Sequence, residues 1–137
     1  MRSRRSALML LSSAVTALVV GCSSDNTAPS NPAPPAGTYA LVSIQNPPNT
    51  TTLTPPAATG SLVLGATTYD VTISIVGQDP VVDQGTYSIS GSNWTQTSTT
   101  NQGVQSTGTF TYNQGSGVLS VDVTVVGVRT ISVWQKQ

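Results

Sequence analysis

From Thr38 to the end of the chain, short runs of alternating apolar and polar residues follow one another, separated by Gly, Pro and Asn. The runs are Tyr39–Ile44, Ser61–Leu64, Thr68–Val76, Thr86–Ser90, Trp94–Ser98, Val104–Tyr112, Val118–Val126 and Arg129–Trp134. In the third, Tyr69, Val71, Ile73 and Ile75 alternate with Asp70, Thr72 and Ser74, which places the apolar set on one face of an extended chain. The runs are rich in β-branched and aromatic side chains, which suit a pleated, half-buried surface, and no stretch after Cys22 has helical periodicity. This pattern predicts an all-β sandwich or barrel.

The short connections after Ser90, Ser98, Tyr112 and Val126 favour strands paired in sequence order, because Greek-key crossings need longer links. An open eight-strand meander would expose two edges, and this chain has few charges to blunt them. Closing the sheet removes both edges, and eight strands suffice for a small barrel. The expected fold is therefore an eight-stranded antiparallel up-and-down β-barrel, with an Ig-like sandwich as the alternative. For the last two runs, apolar matching favours a three-residue connection, Val126-Gly127-Val128, with Val125 opposite Arg129, Val123 opposite Ile131 and Val121 opposite Val133.

The N-terminus has a different character. Arg2, Arg4 and Arg5 precede an apolar stretch from Ala7 to Val20, which ends in Gly21-Cys22. A basic start, a short apolar core and a small residue before the cut describe a secretory signal peptide over residues 1–21. The stretch is shorter than the ~20 apolar residues that a bilayer span needs. With cysteine directly after the small residue, the junction resembles the lipobox of bacterial lipoproteins. That resemblance implies that Cys22 becomes the first mature residue and carries diacylglycerol and an N-acyl chain such as palmitate. Two or more chains anchor a protein stably. It implies a cell-envelope location, and Ser23 rather than Asp after the cysteine implies outer-membrane sorting in a host with two membranes. Residues 22–37 are rich in Pro, Ser and Asn and lack apolar periodicity, so they read as the acylated Cys22 and a flexible tether. At about 3.1 Å per residue the tether would reach roughly 45 Å. Residues 38–137 form the barrel domain.

Composition excludes several functions. Three of the five basic residues lie in the signal segment, leaving Arg129 and Lys136 against Asp25, Asp70, Asp79, Asp83 and Asp122. A mildly acidic, charge-poor surface offers phosphates nothing, so no nucleic-acid partner is expected. The single cysteine leaves none for a disulfide, although an exported protein could hold one. With no His, no Glu and no free thiol, the common nucleophile–base pairs cannot be built, and we expect no enzyme and no cofactor. Asp79 and Asp83 flank Pro80-Val81-Val82 without a calcium-loop pattern. They read as solvated loop charges, and no metal site is expected.

The barrel region resembles the short lipocalin-like domains of bacterial lipoproteins. Lipocalins open their first strand with Gly-x-Trp, over which a late Arg packs to close one end. Here Gly37-Thr38-Tyr39 stands at the first position, with Tyr for Trp, and Arg129 opens the last run. The resemblance implies a barrel-closing Tyr39–Arg129 pair, a cation–π contact worth about 0.5–2 kcal/mol. The motif Thr-Asp-Tyr is replaced by Thr68-Tyr69-Asp70, and Gly-x-aromatic recurs at Gly85-Thr86-Tyr87 and Gly108-Thr109-Phe110.

The aromatic residues read mainly as core or end-cap packing. Leu41, Val71, Ile73, Ile89, Val121, Val123 and Ile131 are the candidate interior. Eight-stranded barrels either fill with side chains or leave room for one small ligand. The first expectation is thus a monomeric, membrane-anchored, non-enzymatic lipoprotein whose barrel takes a small hydrophobic ligand. The alternative is a filled barrel that contacts another envelope protein or inhibits a hydrolase.

Overall fold

A computed structural model describes residues 31–137. The expected signal peptide, the lipidation site Cys22 and the tether as far as residue 30 lie outside the described residues. Nine strands follow one another: β1 (Gly37–Gln45), β2 (Thr52–Leu53), β3 (Ala58–Leu64), β4 (Thr68–Ile75), β5 (Val81–Ser90), β6 (Asn93–Ser98), β7 (Gln105–Asn113), β8 (Val118–Val125) and β9 (Val128–Lys136). Each pairs antiparallel with its neighbour, except that β3 skips the two-residue β2 to lie against β1. β1 also pairs with β9, from Tyr39 opposite Lys136 to Gln45 opposite Ile131. The eight long strands therefore close into an up-and-down barrel, with β2 as a short extension beside the end of β1. The pairing of first and last strands excludes the sandwich.

Closure depends on local adjustments. A register shift between Leu41 and Ser43 in β1 sets Val42 outward and lets both Leu41 and Ile44 face the core, which strict alternation would forbid. Gly85 and Gly108 sit where strands approach closely. A Cβ on Gly108 would meet the Asp122 carbonyl oxygen, and one on Gly85 the Thr97 carbonyl oxygen.

The β8–β9 hairpin differs from the expected three-residue connection. Val125 pairs with Val128, Val123 with Thr130 and Val121 with Ser132, leaving a two-residue turn of Val126 and Gly127. Both turn residues have positive φ, 48° and 80°, as a type I′ hairpin requires. The reason lies in Trp134, which takes the interior and is 2% exposed. Its Nε1 donates to Ser132 Oγ at 2.9 Å, so the small polar Ser132 is satisfied inside. Ile131 and Val133 are left outward and half-buried. This register seats the largest side chain of the strand inside, while Ile131 and Val133 stay partly covered on the outer face.

The N-terminal boundary also differs. Residues 31–37 are not part of a free tether: Gly37 opens β1, and the preceding residues dock on the barrel. β6 stops pairing with β7 at Thr109, and the Asn31 side chain continues the ladder beyond it. Its Nδ2 donates to Phe110 O at 2.6 Å, and its Oδ1 accepts from Tyr112 N–H at 3.0 Å. One amide thus satisfies two backbone groups that would otherwise lack partners.

The barrel is polarised along its axis. All seven aromatic residues of the described chain lie in the half shared by Gly37, Leu64, Thr68, Ser90, Asn93, Asn113, Val118 and Lys136. There Trp94 stacks on Tyr87 at 4.6 Å and meets Phe110 edge-on at 6.0 Å. Leu64 and Leu119 fill the gaps. The Tyr39 hydroxyl donates to Pro35 O at 2.6 Å, so the N-terminal segment covers this end. Valine and isoleucine line the other half.

Candidate functional site

The aromatic half is a floor, and above it the interior is open. A cavity of ≈ 390 Å³ runs from Leu62, Trp94 and Trp134 to the opposite end of the barrel. Its walls include Val71, Ile73, Val121, Val123 and Val125. Cavity size and lining fall within the range of small-molecule sites. The mouth lies between the turn after β4, the β6–β7 loop and the β8–β9 hairpin. Its rim is apolar: Val76, Val81, Val82, Val126 and Val128 are all more than half exposed. Among the described residues, five of the seven exposed large apolar side chains thus lie at this end.

One charged group reaches into this cavity. Asp83, the third residue of β5, lines it. Its Oδ2 accepts from the Tyr69 hydroxyl at 2.8 Å, and its Oδ1 accepts from Ser98 Oγ. Ser98 Oγ in turn accepts from Asn101 N–H at 2.8 Å, which ties the β6–β7 loop to the same cluster. Burial, together with the Asp83 carboxylate, raises the Tyr69 pKa far above the ordinary phenol value, keeping its hydroxyl a donor. The other polar lining is neutral. Gln96 Oε1 accepts from Trp94 Nε1 at 2.9 Å, and Thr130 Oγ1 accepts from Asn46 Nδ2 at 3.0 Å.

Tyr39 and Arg129, expected to pair across one end of the barrel, are held at opposite ends. Tyr39 lies opposite Lys136 in the β1–β9 ladder, whereas Arg129 lies beyond Ile131, the last partner of β1. Arg129 instead makes a two-pronged pair on the outer face, Nε to Asp122 Oδ1 at 2.9 Å and Nη2 to Asp122 Oδ2 at 2.6 Å. The Arg129 guanidinium hydrogen-bonded to Asp122 holds that carboxyl below its usual range. Tyr39 is buried at its own end without Arg129, its hydroxyl donating to Pro35 O.

Asp79 is exposed in its turn, in keeping with a solvated charge, but Asp83 is not a loop residue. Its place on the inner face could be found by counting back in twos from Tyr87 through Gly85. Pro80 hides this, since it reads as the end of a loop rather than the residue just before a strand. Among the described residues no group of three or more potential metal ligands occurs. Of the candidate interior, Leu41, Val121 and Val123 are buried, Val71, Ile73 and Ile89 pack against the core, and Ile131 faces outward.

Fold and site together define a closed eight-stranded up-and-down β-barrel with an apolar, open-mouthed cavity. No family model and no curated protein matches the chain. Among solved structures, it is similar to a crystal structure of a mutant of the fluorescent protein UnaG, at 14% identity and a TM-score of 0.38. That match covers 74% of this chain and 95% of the other.

Proposed function

We propose that the chain is an exported lipoprotein, held to the envelope membrane through acylated Cys22, whose barrel binds a small apolar molecule without transforming it. The observation that carries the binding role is the ≈ 390 Å³ cavity with valine walls and a valine-rimmed mouth. Apolar surface left open to water is stabilised by any occupant that covers it, at about 25 cal/mol per Å². The anchoring role rests on the Arg-rich start, the apolar stretch and Gly21-Cys22-Ser23. A non-catalytic role is supported by the absence of His and Glu from the sequence.

The second reading, an interaction module for another envelope protein, draws on the exposed valine rim alone. The open interior favours ligand binding over it. Two measurements test the proposal. Intact mass of the protein made in its own host should exceed the peptide mass after Gly21 by a diacylglycerol and an acyl chain, and Cys22→Ala should abolish the increment. Native mass spectrometry after exposure to an envelope lipid extract should show a bound apolar molecule. Clean apo protein at saturating extract would remove the binding role.

A further inference from the structure

We infer that the cavity selects apolar molecules bearing a protonated amine and rejects fatty-acid anions of the same length. This rests on the binding role proposed above and adds the chemical class of the ligand. The Asp83 carboxylate faces a cavity whose other lining is apolar or neutral. Its two partners, the hydroxyls of Tyr69 and Ser98, are neutral donors, one to each oxygen. A carboxylate has about four acceptor positions, so both oxygens retain a free one. Neither described cation is available to it. Arg129 is bound to Asp122 on the outer face, and Lys136 lies at the aromatic end beside Gly37. A carboxylate with two neutral donors and no cationic partner still offers acceptor positions, and a ligand ammonium would supply both an opposite charge and donors to them. A ligand carboxylate would meet like charge with no cation to offset it.

Asp83 is also held in place. Tyr69 is 4% exposed and Ser98 equally so, and Ser98 is braced by the Asn101 backbone. The carboxylate is therefore held in place where it lines the cavity, and an ammonium does not have to order it on binding. An alkyl tail has two directions open to it, down to the tryptophan floor or out to the valine rim.

The test compares three probes of one chain length, decylamine, decanol and decanoate, each below its micelle-forming concentration, on the protein purified from the cells that make it. The only two tryptophans, Trp94 and Trp134, both line the cavity, so intrinsic fluorescence reports occupancy directly. Decylamine should bind roughly ten- to a hundredfold tighter than decanol, the range of a charge-assisted hydrogen bond, and decanoate more weakly than decanol. In Asp83→Asn, the amine and the alcohol should bind alike. A wild-type protein that binds decanol and decanoate as well as decylamine overturns the inference while leaving the apolar cavity role intact. If none of the three binds, the cavity role falls and the inference with it. Should Asp83→Asn not fold, Ser98→Ala keeps the carboxylate but frees one oxygen, and must retain the amine preference. Amine preference that persists in folded Asp83→Asn would also overturn the assignment to Asp83.

Discussion

The indole of Trp94 lies against the Tyr87 ring with planes 12° from parallel and centroids 4.6 Å apart. With Phe110 edge-on at 6.0 Å, this trio is the floor on which the cavity rests. Trp94→Ala should destabilise the protein by about 3–5 kcal/mol, the usual result of emptying a large buried aromatic site. Urea denaturation would show a lower midpoint. Such a loss is a large part of the 5–15 kcal/mol typical of a domain this size.

Asn31 acts as a one-residue strand against β7. Asn31→Ala should leave Tyr112 N–H and Phe110 C=O without partners and destabilise the barrel by about 1–3 kcal/mol. Amide hydrogen exchange at Tyr112 should accelerate far more than at Val121 in the centre of β8. Equal acceleration at both sites would mean that the segment acts only through global stability.

The buried phenols make stability sensitive to alkali. Tyr39 has its pKa pushed from 10.0 up to about 12, mainly by burial and also by the neighbouring Tyr112 and Tyr87. In the unfolded chain it would titrate near 10. Its contribution is therefore complete below pH 10 and is lost as pH rises toward 12, at about 1.4 kcal/mol per unit. Tyr69 and Tyr87 are raised as well and add to the same trend. Thermal midpoints recorded from pH 9 to 12 should fall, and Tyr39→Phe should flatten the early part of that decline.

Val126 is a β-branched residue at φ 48°, in a turn position where Asn is preferred. It is also 79% exposed at the cavity mouth. Val126→Asn should stabilise the hairpin by about 1 kcal/mol, the scale of left-handed strain in a branched residue. For a domain of this length that is a rise of roughly 4–8 °C in Tm. The same change removes apolar surface from the rim, so affinity for apolar ligands should fall. A rise in Tm with unchanged affinity would separate the rim from binding.

These four cases also mark how far the residues alone lead. Alternation identifies the eight long strands because each inward position is occupied by an apolar side chain often enough to show the period. β2 escapes because two residues carry no period, and the start of β5 escapes because Pro80 precedes it. The β8–β9 register is misread when all apolar residues count alike. Trp134 outbids Ile131 and Val133 for the interior, and Ser132 follows it inside. The Tyr39–Arg129 pairing fails for a related reason. Residue types alone do not tell which end of the barrel each occupies, and β9 runs Arg129 to the mouth while β1 starts Tyr39 at the floor. Asp83 shows the opposite weakness. A lone carboxylate between turn residues looks solvated until the strand that carries it is paired.

Asn31 has one more consequence. Only Ser23–Ser30 separate it from Cys22, eight residues that can span at most roughly 30 Å. Asn31 itself sits at the aromatic base of the barrel, opposite the mouth. If Cys22 carries the proposed lipid, the attachment point is nearer the aromatic base of the barrel than its mouth. On that reading a short link would favour entry of a ligand from the side of the barrel away from the lipid.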